Sequence, residues 1–376
     1  MMPDAAPGMV AAPPVALSAR DLTSLVTRIF AAAGMSEKAA ATIAGGLVEA
    51  DLDGLPSHGV MLVEMYIARL RAGSVSTRQS ATVVVDHGCA VVLDADHAFG
   101  HLTGEQAIEM AVARAHRFGA GVVAVRHGFH FGTGRRYAIK ATERGCIGIA
   151  MCNTRPLMPA PGGAERLVGN NPIAIAVPVE GPIPLVLDMA TSQAAMGKIR
   201  LANAAGEAIP ETWAVRADGT PTTDPAAAIA GMLLPAAGPK GFGLAFMIDL
   251  MCGLLSGGAF ADRVRPLYGD PLVPYDCSHL FIALDVGHFG ELRHFRAQAA
   301  AAAERIRSAR AAPGVSRLLA PGEPEWRRRE SAAGIVTLEP AVADRLVRIA
   351  GELKVPAEPL ASISQRAGQE LQHGKA

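Results

Sequence analysis

Three stretches of this 376-residue chain place proton-exchanging or anion-binding side chains where turns would present them. Ser57-His58-Gly59 follows Pro56, and an imidazole there titrates near neutrality, so it can donate or accept a proton at a carbonyl or alcohol. Ser57 could relay that proton or simply cap the helix that follows; both readings stay open. His127-Gly-Phe-His130-Phe-Gly-Thr-Gly134 holds two imidazoles beside three glycines, where His130 could meet a substrate carbonyl or be a loop histidine bonded to backbone. In residues 183–198 an apolar run ends on Asp188, followed by Thr191 and Ser192. That pattern predicts a buried strand bringing one carboxylate to its tip, with capping hydroxyls beside it. A buried carboxylate needs a partner, and His58 is the candidate, oriented as an imidazolium by Asp188.

Asn153-Thr154-Arg155-Pro156, with Gly162-Gly163 and Gly169-Asn170-Asn171, forms a further cluster. Its donors suit a carboxylate and its glycines allow close backbone approach, although the same residues also serve as turn formers.

Phosphate-binding loops are less evident. Gly119-Ala-Gly121-Val-Val-Ala124 sits after a helix and before a strand, the reverse of the dinucleotide-binding order. Gly132-Thr-Gly134 precedes a helix and could offer N–H groups to an anion. Gly238-Pro-Lys240-Gly241 lacks the Walker spacing. A Rossmann domain is therefore not expected. No metal is expected either: His127 and His130 have no third ligand nearby, and the five cysteines, at 89, 146, 152, 252 and 277, show no CxxC pair or zinc spacing.

Composition bounds the rest. Half of the residues are hydrophobic and 19% charged, enough for a sizeable core in one large domain or two lobes. Lys plus Arg equals Asp plus Glu at 35 each, with no basic run interleaved with aromatics, which argues against a nucleic-acid partner. The odd, scattered cysteines suggest reduced thiols in the cytoplasm. The first residues carry no secretory pattern and are expected to be disordered through residue 16. The longest apolar stretch, 242–255, is broken by Asp249 and too short to span a bilayer.

These groups must be positioned by helices over 17–50, capped by Ser18 and Ser36, and by another over 59–70. A hairpin turns at His87-Gly88. Helices then alternate with strands: a helix over 103–117 capped by Thr103, a strand over 120–125, a helix over 135–144, and strands over 147–151, 173–177, 184–187 and 280–284. A buried helix is expected over 241–255, with further helices over 291–308 and 339–353. The alternation indicates an α/β architecture.

Taken in order, DLDGLPSHGV, VRHGFHFGTG, GCIGIAMCNTRP, PGGAERLVGNNPIAIAVP, LDMATSQAAMGK, IPETWAVRADGTPTTDP, LLPAAGPKGFGLAFMIDLMCGLLSGG and PGEPEW resemble the type 2 malate/L-lactate dehydrogenase family over about residues 17–340. The resemblance implies an NAD(P)-dependent oxidoreductase that transfers a hydride between the cofactor and a small 2-oxo acid. Ureidoglycolate, sulfolactate and cyclic imino acid relatives widen the substrate class, and a non-catalytic ligand-binding homologue is the alternative. It implies a non-Rossmann fold with a central mixed sheet flanked by helices (79–334) and a helical lobe over 17–78 joined by 335–376. It assigns His58 as the acid, Ser57 and Asp188 as its relay, and His130 as a second candidate for proton transfer. The dinucleotide would be lined by His130, Gly132, Leu187, Asp188, Met189, Ala190, Lys240, Gly241, Pro321, Gly322 and Glu323, and a homodimer is implied. Many members carry Arg four residues after the motif histidine; this chain has Leu62. The substrate carboxylate is then expected on Arg69 or Arg155, with Asn153 and Thr154, or on Arg136.

Overall fold

The computed structural model describes residues 13–358 and residue 360. The chain divides into two compact units, one built from residues up to Glu64 together with those from Arg329 onward, the other from Met65–Arg328.

In the first unit, Ser18 and Ser36 cap their helices as expected: Ser18 Oγ accepts from Asp21 N–H and Ser36 Oγ from Ala39 N–H, opening Ala19–Ala32 and Glu37–Leu52. Leu22, Leu25, Val26, Ile29 and Phe30 recur at helical spacing and are buried. The tail expected through residue 16 gives way earlier, because Val15–Ser18 pairs antiparallel with Ile335–Leu338. Residues 1–12, the rest of that expectation, lie outside the described residues, as do 361–376 of the C-terminal segment. The continuous helix expected over 59–70 is broken into 3-10 turns at Pro56–His58 and Val60–Leu62 before the α-helix Val63–Ala72. The Val60 N–H donates to the Asp51 carboxylate at 2.9 Å instead of to a helical carbonyl.

The second unit is built on a seven-stranded mixed sheet. Its order is Thr82–His87, Ala90–Asp94, Ala120–Gly128, Cys277–Asp285, Cys146–Cys152, Ile173–Val177, Leu185–Met189. Only Ala90–Asp94 against Ala120–Gly128 is parallel; the other neighbours are antiparallel. Helices Gly100–Phe118 and Gly134–Glu143 follow the first two central connections. The first starts at Gly100 after Phe99, so Thr103 is a buried residue inside it, not its cap. Gly119, at φ +86°, ends that helix, which accounts for the reversed glycine pattern.

The apolar segment expected to be a buried helix is half buried. Helix Pro239–Asp249 and the π-turn Leu250–Leu254 turn Ala245, Ile248, Asp249 and Cys252 inward, whereas Leu244, Met247, Leu254 and Leu255 are exposed. Among the described residues no helix is long and apolar enough to cross a membrane.

Candidate active site

The loop 128–134 leaves the central strand Ala120–Gly128 and enters helix Gly134–Glu143, with Gly132 at φ +77° making the turn. Within it, His130 Nδ1 lies 2.6 Å from the Tyr66 hydroxyl. Tyr66 is fully buried and packs against Phe99 and Phe129, with ring centroids 5.5 and 5.1 Å apart. Burial pushes its phenol well above the ordinary value, so it keeps its proton. A hydroxyl can donate to a neutral Nδ1 or accept from Nδ1–H, which fixes the half-buried imidazole through either protonation state. The second imidazole of this loop is spent elsewhere: His127 Nδ1 meets both Asp94 carboxylate oxygens at 3.0 and 3.1 Å. Burial raises Asp94, but His127, the Asp96 N–H and Arg126 outweigh it and hold the carboxyl below its usual range.

Asp188 differs from expectation in setting. Leu185–Met189 is the edge strand of the sheet, and Asp188 is exposed, so no buried counter-ion is required. Its Oδ2 accepts from the Arg135 N–H at 2.9 Å, closing the N-terminus of the helix that follows the His130 loop. Gly134 makes this approach possible, because a Cβ there would stand 2.9 Å from Ala174 Cβ. Thr191 and Ser192 are not caps: the next helix, Met196–Ala205, begins after Ala195, and Ser192 Oγ donates to the Ala194 carbonyl.

Segments expected along the dinucleotide converge on this edge strand. Val186 N–H donates to the Pro321 carbonyl at 3.2 Å, and a Cβ on Gly322 would stand 2.5 Å from Val186 Cγ1. Ala236 N–H donates to the Thr191 carbonyl at 2.9 Å, and a Cβ on Gly241 would lie 2.9 Å from that same oxygen. Leu187 and Lys240 are exposed, the latter in the first turn of helix Pro239–Asp249. Glu323 is a correction: fully buried, it accepts from Arg307, Arg327 and the Ala320 N–H, which leaves its carboxylate committed to ion pairs and held below the ordinary value although burial alone would raise it.

The residues expected to hold the substrate separate into two kinds. All five N–H groups of Arg69 are used, on the carbonyls of Pro266, Leu267 and Val273 and on Ser74 Oγ, so it fastens a loop and has no donor left for a carboxylate. Asn153 is buried and equally committed, donating to Asp249 and the Ala259 carbonyl and accepting from Ser278 N–H. The Thr154 hydroxyl is tied to Asn170 and Asn171, and Arg136 pairs with Glu105. Arg155 alone of the set is half-buried with no carboxylate in ion-pair reach among the described residues. Desolvation, with repulsion from Arg166 and Arg200, lowers its pKa, against an opposing influence of Tyr275.

A pocket of about 490 Å³ opens beside these segments, lined by Gly162, Gly163, Gln193, Leu234, Pro235 and Gly238 among others. Cβ positions on Gly162 and Gly238 meet nothing within 4 Å, so bare backbone faces open space. None of the residues expected along the dinucleotide lines this pocket.

In the first unit, Ser57 Oγ lies 3.0 Å from His58 Nδ1, the relay pair expected from sequence. Desolvation lowers the half-buried imidazole below its ordinary value. A Cβ on Gly59 would lie 2.0 Å from Asp51 Oδ1, so a larger residue there would displace that carboxyl group. Leu62 is buried, so this position presents no charge. Two contributors escaped sequence reading. Tyr66 carried no local signal, since it meets His130 only through the fold; Asp51 opened a motif already singled out, nine positions before the N–H it accepts.

A family model described as malate/L-lactate dehydrogenase matches residues 17–347. The malate dehydrogenase of Pyrococcus abyssi is 34% identical over 89% of this chain and 94% of its own. The NAD(+) ureidoglycolate dehydrogenase of Escherichia coli K12 is 35% identical over 84% and 90%. The solved sulfolactate dehydrogenase of Methanocaldococcus jannaschii superposes with a TM-score of 0.87 at 33% identity, covering 92% of this chain and 99% of that one.

Proposed function

The chain belongs to the malate/L-lactate dehydrogenase family, and from that premise we propose that it interconverts a small 2-oxo acid and its 2-hydroxy acid, with NAD or NADP as the redox partner. The chain is an NAD(P)-dependent oxidoreductase acting on a hydroxy acid. When bound, the nicotinamide supplies or accepts the hydride at its C4.

The Tyr66–His130 bond is the observation that carries the reading. With Nδ1 engaged by the phenol, Nε2 is the nitrogen that exchanges a proton with the substrate oxygen. In reduction the imidazolium donates from Nε2 as the carbonyl carbon gains hydride; in oxidation the neutral ring takes the alcohol proton back. His58 with Ser57 is the second proton-transfer candidate, and its lowered pKa favours the neutral, proton-accepting form near neutrality. Asp188 orders the start of the helix behind the His130 loop. Met189, Ala190, Gly132, Lys240, Gly241, Pro321 and Gly322 supply backbone and one positive charge along the dinucleotide. Arg155 takes the carboxylate that an arginine at position 62 would otherwise hold.

The exposed Leu244, Met247, Leu254 and Leu255 share one face, which supports a homodimer through this segment. All five cysteines are free, which supports a cytoplasmic setting.

The test is NADH and NADPH oxidation against pyruvate, oxaloacetate, branched 2-oxo acids and a cyclic imine, with His130→Ala and His58→Ala beside the wild type. Turnover of at least one 2-oxo acid, abolished in one histidine variant that still binds cofactor, is the expected result. Cofactor binding without oxidation of any acid would mark a ligand-binding homologue instead, and turnover of the imine alone would move the substrate class.

A further inference from the structure

Behind the His130 loop lies a set of side chains that the reaction does not use. Cys277 and His279 stand two residues apart on the central strand Cys277–Asp285, and a register irregularity between them shapes the strand there. Cys152 is the cross-strand partner of His279. Cys277 Sγ lies 3.2 Å from His279 Nε2, and the three ligand atoms, Cys152 Sγ, Cys277 Sγ and the His279 nitrogen, all fall within 4.8 Å of one another. Cys277 and His279 are fully buried and Cys152 is 3% exposed.

The surroundings hold this arrangement. The Phe131 ring stacks on the imidazole at 4.7 Å and 8°. Gly128 leaves room for it, since a Cβ there would stand 2.9 Å from His279 Cε1. The Cys152 Sγ is 3.0 Å from the Asn153 carbonyl.

We propose that Cys152, Cys277 and His279 form a binding site for a thiophilic d10 cation, Cu(I) or Zn(II), held by two sulfurs and one imidazole nitrogen. Two thiolates and an imidazole are the soft donor set such ions select. Loading displaces the thiol protons of both Cys152 and Cys277 and changes no oxidation state. The three donors suit trigonal Cu(I) directly, whereas Zn(II) would need a fourth ligand. Sequence reading passed over the site because its thiols lie on strands far apart in the chain, leaving only Cys277-Ser278-His279 as a local sign.

Reduced full-length protein, held without oxygen, is titrated with Cu(I) against a chromogenic chelator and separately with Zn(II) against a zinc indicator. One tight equivalent of one ion per chain is expected, and the arm that shows it identifies the ion. Cys152→Ser and Cys277→Ser should each weaken it by about 100-fold or more, and His279→Gln by about 10-fold or more. Cys89→Ser and His116→Ala should leave it unchanged; His116, Cys146 and Asp285 form a second, more exposed group of possible ligands. X-ray absorption of the loaded wild type, which needs no variant to fold, should show two sulfurs near 2.3 Å and one nitrogen near 2.0 Å. Binding that survives both serine variants, binding lost with His116, a coordination shell without sulfur, or no tight equivalent of either ion would each overturn the site. So would a Cys152–Cys277 disulfide in place of metal in the native protein.

Discussion

The hydroxyl of Tyr66 stands 2.6 Å from Nδ1 of His130 across 64 positions of sequence, its ring buried against Phe99 and Phe129. A hydrogen bond to a group that becomes charged contributes about 1.5–3 kcal/mol. Tyr66→Phe removes that bond and keeps the ring. It should lower kcat by roughly 10- to 100-fold with little change in cofactor affinity. Stopped-flow turnover and fluorescence titration of NADH measure the two separately. An unchanged kcat would move proton transfer to His58.

Arg155 carries a separate expectation, because its charge is half-buried and unanswered by any carboxylate among the described residues. A bidentate pair with a substrate carboxylate would relieve that penalty. Arg155→Lys keeps the charge and loses the fork, so KM for the 2-oxo acid should rise about tenfold or more while kcat falls less. Arg155→Met should raise it further. Equal KM values in wild type and both variants would show that another group holds the acid.

Asp188 shows how much of this site was legible and where legibility ended. The sequence singled out the residue, since a carboxylate closing an apolar run is unusual, and the alternation of strands and helices led to the right α/β architecture. This contact was not readable: a helix N-terminus receives an anion through backbone N–H groups that have no letter in the sequence. Nor was the edge position, which depends on sheet order. Arg69 failed for the same reason. Nothing local distinguishes an arginine that binds substrate from one that spends four of its five N–H groups fastening residues 266, 267 and 273. Ser18 and Ser36, by contrast, cap helices through contacts three residues away, so spacing alone identified them.

The Asp188 bond itself is testable by stability. Asp188→Ala leaves the Arg135 N–H without its acceptor, at a cost of about 0.5–1 kcal/mol for an exposed cap. Asp188→Asn keeps an acceptor and loses only the charge, and should cost less. Denaturant midpoints rank the three proteins; alanine and asparagine variants of equal stability would show that the bond contributes nothing.

Asp51 supplies a pH dependence of unusual sign. Burial raises its carboxyl from the ordinary 3.8 to about 7, partly offset by the bond from Val60 N–H. Between about pH 4 and 7 the folded chain therefore holds a proton that the unfolded chain has released, so the Asp51 contribution to stability is full at low pH and is lost as pH rises through 7. His58, lowered by desolvation, works the other way, losing stability as pH falls below its ordinary 6.5. The two are separated by comparing wild type with Asp51→Asn, which keeps an oxygen for Val60 and cannot ionise. Relative to wild type, the variant should gain stability of order 2 kcal/mol between pH 5 and 8, read from urea unfolding at each pH. Parallel stability curves would mean that Asp51 is ionised in the folded chain throughout this range.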